Sequence, residues 1–304
     1  MSRALHAALR RLLQSDSGQI AGSQLTTAQA RALEELRNRT GAVGLQRSGR
    51  GVIYRVIERQ ILQQHLNELM PLAAAELDAD LPQRAGNIGL SRSSKSGQHG
   101  HGIHYLLLKA QGTVGWHSTD SGHILDLQKA TQEQGAAALT IGGNNDQSWS
   151  SDAELWLVEN QALFDRLDWL PHSEAASVAW YSGHLRSCLI DWLAQQPRAP
   201  HIRLFPDYDG VGLHNYLRLR QRLGNQVSFW LMPDWEQRLR QFGNNALWQK
   251  TAVDFQAAMT RFQPMLANEP DVHQLMRAMQ THGLALEQEA IWLPVQPRSA
   301  PADS

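Results

Sequence analysis

The chain has 304 residues, a hydrophobic fraction of 42% and a net charge of -1. These values are typical of a globular protein with one large domain or two to three small ones, and they exclude a chain that is strongly basic or acidic overall. No apolar run approaches the ~20 residues that a membrane span requires, and the N-terminus lacks the apolar block of a secretory signal. The single cysteine, Cys188, excludes an internal disulfide and a multi-cysteine zinc site. We therefore expect a cytoplasmic protein without membrane contact.

Positive charge is concentrated at the start of the chain. Residues 1 to 60 contain ten arginines and only four acidic residues, so the remainder is acidic. Such asymmetry is typical of a basic contact surface joined to an acidic body, although a solvated helix with incidental arginines has the same composition.

The first 78 residues have the pattern of a small DNA-binding domain. Helical spacing of leucines predicts a helix over 2–15, and a second helix begins near Thr26 or Thr27 and ends at Gly41. Two β-prone runs then flank "RSGRG", which predicts a hairpin with Arg47 and Arg50 near its tip. Helix plus basic-tipped hairpin is the outline of a winged helix, in which these arginines would contact DNA phosphates. The alternative is an ordinary exposed hairpin.

Residues 79–150 are expected to be a linker or α+β region with a loop rich in Gly, Ser and His. His99, His101 and His104 match no established zinc spacing, which favours an exposed flexible loop over a metal site. Arg92 and Lys95 lie among small polar residues and are candidate DNA contacts, although any solvated loop has this composition.

From residue 151 to 293, short apolar runs alternate with helical segments. The runs "LWLVEN", "SVAWYSG", "HIRLFP" and "QVSFWLMP" predict four strands, each followed by a helix. This alternation predicts an α/β domain with a mostly parallel, Rossmann-like sheet covered on both faces. The tail, 294–304, is expected to be disordered.

Polar residues follow three of these strands. Glu159 follows the first strand, Gly183 the second, and Asp207 and Asp209 the third. Sites in open α/β sheets form outside the carboxyl ends of the strands, and residues two apart in extended chain point the same way. The three carboxylates would therefore converge and favour a hard cation such as Mg²⁺. "DYDG" alone is also typical of a plain turn. The metal-site prediction therefore depends on finding a Glu, a Gly and Asp-x-Asp, in that order, at three successive strand ends.

This constellation resembles the Toprim domain of topoisomerases, primases and some nucleases. Together with the basic region upstream, "WLVENQALF", "YSGHL", "DYDGVGLHNY" and "LEQEAIWLP" resemble the topoisomerase VI A-like nuclease subunit (JetD/MksG type) of Wadjet-type SMC plasmid-defence systems. The motifs lie between residues 150 and 293, and the N-terminal third is similar only in architecture. Gly210 and Val211 replace the turn residues usual in that family, and the chain is short for it.

The resemblance implies an Mg²⁺- or Mn²⁺-dependent DNA endonuclease. Glu159, Asp207 and Asp209 would hold one or two metal ions, with Glu159 alternatively a general acid or base. Gly183 would be an accessory residue of the site. Glu287 and Glu289 would be either helpers near the metal or surface or salt-bridged residues. The implied partners are DNA and SMC- and kleisin-type subunits, and a homodimer is also allowed.

Two other functions remain open at this point. Tyr54 could be the nucleophile of a topoisomerase-type cleavage. However, its position fits the alternation of an ordinary strand, and the surrounding sequence lacks the arginine-rich double-tyrosine pattern of that family. Alternatively, the chain is a non-catalytic DNA-binding adaptor whose acids close a turn.

Overall fold

The computed structural model describes residues 2–49, 51–69, 72, 78, 80–91, 93–95, 103–142, 148–171, 175–265 and 268–295. The chain forms two compact units, residues 1–101 and 102–304. The candidate Arg50 and Arg92, together with His99, His101 and most of the predicted tail (296–304), lie outside the described residues.

The first unit combines helices with a small antiparallel sheet. Its elements in chain order are α1 (Ser2–Gln14), β1 (Gln19–Ala21), α2 (Thr27–Thr40), β2 (Val43–Ser48), β3 (Gly51–Val56), α3 (Arg59–Leu69) and α4 (Gln83–Ser91). The strands lie in the order β1-β3-β2, with β2 and β3 forming the predicted hairpin.

Local sequence sets the ends of α2. The Thr26 hydroxyl accepts from the Gln29 N–H while the Gln29 side chain accepts from the Thr26 N–H, so both ends of a capping box are present. Gly41 ends the helix with a φ of 67°, a conformation that glycine adopts without steric penalty. Leu33 and Leu36 of α2 are buried in the core of this unit. The predicted helix and its boundaries are therefore confirmed.

The second unit is built on a six-stranded sheet. Its elements in chain order are β4 (His104–Gln111), β5 (Gly115–Ser118), β6 (Ile124–Asp126), α5 (Leu127–Gln134), β7 (Ala137–Ile141), β8 (Trp149–Ser150), β9 (Glu154–Val158), α6 (Gln161–Asp165), β10 (Ala176–Trp180), α7 (Ser187–Gln195), β11 (Ile202–Phe205), α8 (Gly210–Leu223), β12 (Val227–Phe229), α9 (Trp235–Phe242), α10 (Asn245–Phe262) and α11 (Pro270–His282). The large sheet has the order β12-β11-β9-β10-β4-β7, and β6, β5 and β8 form a separate small sheet.

The large sheet is mixed. Strands β12, β11, β9 and β10 pair in parallel, whereas β4 pairs antiparallel with both β10 and β7. Four consecutive residues of β9, Leu155 to Val158, are buried, and successive strand residues point to opposite faces. Both faces of the sheet are therefore covered, and the predicted α/β class is confirmed.

Two features of the region before residue 150 differ from the prediction. Strands β4 and β7 join the same sheet as β9 to β12, so the sheet extends across the boundary expected near residue 150. Furthermore, Gln83–Ser91 is a helix and His104 begins β4, so part of the loop predicted within this linker or α+β region is regular structure. The high local glycine content does not predict either element. Both form because distant segments of the chain decide strand pairing and helix packing. In the described part of the chain, no helix has the length and apolarity that crossing a membrane requires.

Candidate active site

The connectivity of the sheet creates a crevice between β9 and β11. The chain runs from β9 to β10 on one side of β9 and then returns to β11 on the other side. Helices therefore leave these two neighbouring strands in different directions, which opens a crevice outside their carboxyl ends. Val158 pairs with Phe205 at this edge. Glu159 directly follows the first strand and Asp207 lies two residues beyond the second, so the two acids flank the crevice.

Glu159 is held at the end of β9 by groups from two other strand ends. The Tyr181 hydroxyl donates to Glu159 Oε2 at 3.2 Å, and the Asp207 N–H approaches the same oxygen at 3.4 Å. Trp180 Nε1 donates to the Glu159 carbonyl at 2.9 Å. The predicted convergence of the ends of β9, β10 and β11 is therefore present in the structure.

Asp207 accepts two hydrogen bonds on one oxygen. The Gln288 N–H donates to Asp207 Oδ1 at 2.9 Å, and Asn160 Nδ2 donates to the same atom at 3.0 Å. Its carboxylate is thus oriented by a backbone amide and a side-chain amide, both neutral. Orientation by neutral donors leaves the negative charge uncompensated.

Asp209 also has a structural task. Its Oδ1 accepts from the Gly212 N–H at 2.8 Å, which makes Asp209 the N-cap of α8. The side chain is buried, with 5% exposure. Asp209 therefore stabilises the helix start whether or not it binds a ligand, and its replacement is a poor test of function.

The segment 284–293 closes the site from the C-terminal side. Gln288 is fully buried; its side chain accepts from the Asn160 N–H at 2.9 Å and donates to the Phe205 carbonyl. Asn160 Nδ2 additionally donates to Glu289 Oε2 at 3.1 Å. Gln288 thus joins the ends of β9 and β11, and the Gln288–Trp292 3₁₀ turn brings Glu289 to the same edge.

Arg238 fixes this segment. Its buried guanidinium, on α9, donates to the carbonyls of Ala290 and Leu293 at 2.5 Å and 2.6 Å. The segment that orients Asp207 is therefore anchored to the body of the second unit.

Gly210 and Gly212 allow close approach of the chain itself. An added Cβ at Gly210 would lie 2.2 Å from the Thr251 carbonyl oxygen on α10, and one at Gly212 would lie 2.1 Å from the Asp207 carbonyl oxygen. The sequence suggested approach by a backbone or a phosphate, and the structure shows backbone. Gly183, at the end of β10, has a φ of 70° and accepts a hydrogen bond from Asn215 on α8.

A family model matches most of the second unit. It covers residues 120–293, more than half of the chain, and is described as Domain of unknown function (DUF7281). The chain belongs to this family. All the carboxylates of the candidate site lie within the DUF7281 region, whereas the first unit lies outside it. No curated protein matches the chain.

Burial raises the pKa of three carboxyl groups of the DUF7281 region, those of Glu159, Asp207 and Asp209. Burial, together with the negative charges of Asp207 and Asp209, raises the pKa of Glu159 to about 8. Burial and the charges of Asp209, Glu289 and Glu287 raise the pKa of Asp207 to about 7 against the opposing Gln288 hydrogen bond. Burial also raises the pKa of Asp209. Three acids lie close together at one sheet edge, and a bound cation would reduce the repulsion between their negative charges.

The donor chemistry fits a hard divalent cation. The acidic side chains Glu159, Asp207 and Asp209 at the sheet edge offer carboxylate oxygens, the ligand type that Mg²⁺ and Mn²⁺ prefer. Among the residues that the structure describes, no three His, Cys, Asp or Glu side chains are arranged as a ready-made metal site. Glu159 and Asp207 are nevertheless neighbours, because the backbone N–H of Asp207 lies 3.4 Å from Glu159 Oε2.

The metal-free protein should lose stability as pH rises. In the window from about 4 to about 8, folded Glu159 and Asp207 retain protons that the unfolded chain has released, so the free energy of unfolding falls with pH. We expect a loss of a few kcal/mol, on the order of magnitude of the pKa shifts. Partly buried His104 and His201, whose pKa values burial lowers, act in the opposite direction.

The test therefore compares the free energy of unfolding of a variant and of the wild type at two pH values. Urea unfolding in EDTA at pH 5 and pH 8 should show that the Glu159→Gln/Asp207→Asn double variant gains stability relative to the wild type at pH 8. An equal difference at the two pH values would contradict the assignment.

The sequence missed several residues of this site. Gln288 lies between two glutamates that were predicted as accessory, and Glu287 is exposed whereas Gln288 is fully buried. Asn160 follows the predicted strand-end glutamate directly, which is the one local signal that could have identified it. Tyr181 and Asn215 carry no such signal.

The predicted residues of the first unit occupy exposed positions or the core. Arg47 and Lys95 are exposed. Tyr54 has 1% exposure and donates from its hydroxyl to Glu34 at 2.9 Å. Burial and this hydrogen bond raise the Tyr54 pKa to about 12, which disfavours a role as nucleophile.

Proposed function

We propose that the protein is a divalent-metal-dependent DNA endonuclease with a Toprim-like second unit. The observation that carries the proposal is the convergence of Glu159 and Asp207 at the crevice between β9 and β11, where burial and neighbouring carboxylates raise the pKa of each. Such clustered, perturbed carboxylates are typical of functional sites.

Glu159, Asp207 and Asp209 would hold the metal. Mg²⁺ or Mn²⁺ would supply electrostatic stabilisation of the charge that develops on a phosphodiester during hydrolysis. The chain itself positions the acids: Tyr181 orients Glu159, and Asn160 and Gln288 orient Asp207. Asp209 is fixed by the N-terminus of α8. Glu289 lies close enough to Asn160 to be an accessory acid.

The first unit supports DNA as the substrate. The strand order β1-β3-β2, the hairpin of β2 and β3, and the preceding α2 are compatible with a winged helix. Arg47 is exposed on β2, where its guanidinium can reach phosphate oxygens. We propose that this unit binds the DNA backbone without reading sequence.

The partners follow from the resemblance alone. We propose that the protein acts as the nuclease subunit of an SMC- and kleisin-containing plasmid-defence complex. Neighbouring genes encoding SMC and kleisin-like proteins would favour this assignment, and co-purification with their products would test it.

Plasmid nicking tests the activity. With Mg²⁺ or Mn²⁺ the protein, alone or mixed with its SMC-type partners, should convert supercoiled plasmid to nicked and linear forms, and EDTA should prevent this. Glu159→Gln should lower the rate by about a hundredfold or more, because the variant removes one charge from the acidic site. Glu133→Gln, at an exposed position on α5, is the matched control.

Other outcomes would identify the alternatives. DNA retention without cleavage under either metal, with and without partners, would favour the adaptor. Covalent protein–DNA adducts that disappear in Tyr54→Phe would favour topoisomerase-type cleavage.

A further inference from the structure

The loop between β10 and α7 holds a strained conformation. Ser182 has a φ of 57°, in the left-handed region, and Gly183 follows with a φ of 70°. A non-glycine residue in this region costs about 1 kcal/mol and persists only where the surrounding structure holds it. The loop follows the carboxyl end of β10, next to the strand that carries Glu159.

Two residues of α8 hold this loop in place. Asn215 is fully buried; its Nδ2 donates to the Gly183 carbonyl at 3.0 Å and its Oδ1 accepts from the Leu185 N–H at 3.2 Å. Arg218 donates to the Leu185 carbonyl at 2.7 Å. The residue between these anchors, His184, consequently has a fixed backbone and an exposed side chain.

His184 belongs to a group that we call the cationic rim: His184, His214, Arg218 and Arg261. Its permanent charge lies on the two arginines, because burial, Arg261 and Arg218 lower the pKa of His214. Arg261 Nη1 lies 3.5 Å from His214 Nε2, and His214 and Arg218 are one turn apart on α8. Asp209 and His214 both lie within electrostatic reach of His184. Asp254 is the acidic residue that faces His214.

The rim adjoins a site of opposite charge. A polyanion that reaches Glu159, Asp207 and Asp209 meets repulsion from these carboxylates, and positive groups beside them offset it. Arginine retains its charge at any physiological pH and binds phosphate oxygens through its planar fork. Arg261 is exposed.

We propose that the cationic rim binds phosphates of the nucleic-acid backbone and guides the strand to the acidic site. The proposal rests on the proposed function only for the choice of DNA as the polyanion. The anchored loop holds His184 beside α8, the helix that Asp209 caps, and Arg261 supplies permanent charge. Arg218 anchors the loop and is therefore a poor residue to replace.

DNA binding by the full chain tests the proposal. Fluorescence anisotropy with labelled duplex and single-stranded DNA, in EDTA over a NaCl series, should show a Kd about three- to tenfold higher for Arg261→Gln and for His184→Gln. The slope of log Kd against log salt should fall by about 0.9 for Arg261→Gln, because one phosphate contact is lost. Arg277→Gln, an exposed arginine on α11, is the control and should bind as the wild type does.

Binding in EDTA separates this proposal from the nuclease assignment. If Arg261→Gln binds with an unchanged Kd and salt slope, the rim proposal fails even where cleavage is observed. If cleavage is absent but the binding defects appear, the rim proposal stands and the nuclease fails. Loss of polyglutamate binding in Arg261→Gln without any loss of DNA binding would overturn DNA as the ligand and indicate an acidic protein.

Discussion

Asp207→Asn is expected to reduce metal-dependent plasmid cleavage by about a thousandfold. The substitution keeps the size of the side chain and one oxygen to accept from Gln288 and Asn160, but it removes the negative charge at the crevice. Nicking assays with Mg²⁺ and with Mn²⁺ measure the loss. Asp207 is preferable to Asp209 because Asp209 also caps α8.

The same variant should be more stable than the wild type without metal. Ionised Asp207 lies among Asp209, Glu287 and Glu289, and burial raises its pKa to about 7, so neutralising it removes a repulsion at pH 8. We expect a higher Tm in EDTA at pH 8, and a smaller rise in Tm on adding Mg²⁺ than the wild type shows. Greater stability combined with lost activity separates a functional acid from a structural one. An Asp207→Asn protein that cleaves at the wild-type rate would refute the site.

Gly210→Ala is expected to destabilise the second unit by about 2–4 kcal/mol. The new Cβ would lie 2.2 Å from the Thr251 carbonyl oxygen and 2.5 Å from the Phe255 nitrogen, and backbone atoms of α10 cannot rotate away. Helices α8 and α10 must therefore separate at the residue that follows Asp209. Thermal unfolding should show a Tm lower by about 5–15 °C.

Gly115→Ala provides the control for this substitution. Gly115 lies in β5 of the same unit, and its added Cβ would come no closer than 3.4 Å, to the end of the His117 side chain. This variant should unfold near the wild-type temperature. Equal Tm values for the two variants would show that α8 and α10 do not pack as closely as described.

Much of the secondary structure was predictable because its signals are local. Thr26 and Gly41 carry the cap chemistry that begins and ends α2, and "RSGRG" separates two β-prone runs. In the second unit, the order of apolar runs predicted β9 to β12 and placed Glu159 and Asp207 at strand ends.

The sequence by itself determined the candidate acids, since a polar residue directly after a buried strand must lie at the sheet edge. Only the tertiary structure decided which strand ends are neighbours. It placed β9 beside β11, added β4 and β7 to the sheet, and brought Gln288 to Asp207 across 81 positions of the chain. It also assigned the close approach at Gly210 to the protein's own α10. Periodicity reports how each segment divides between core and solvent, whereas these contacts depend on packing between segments that share no local pattern.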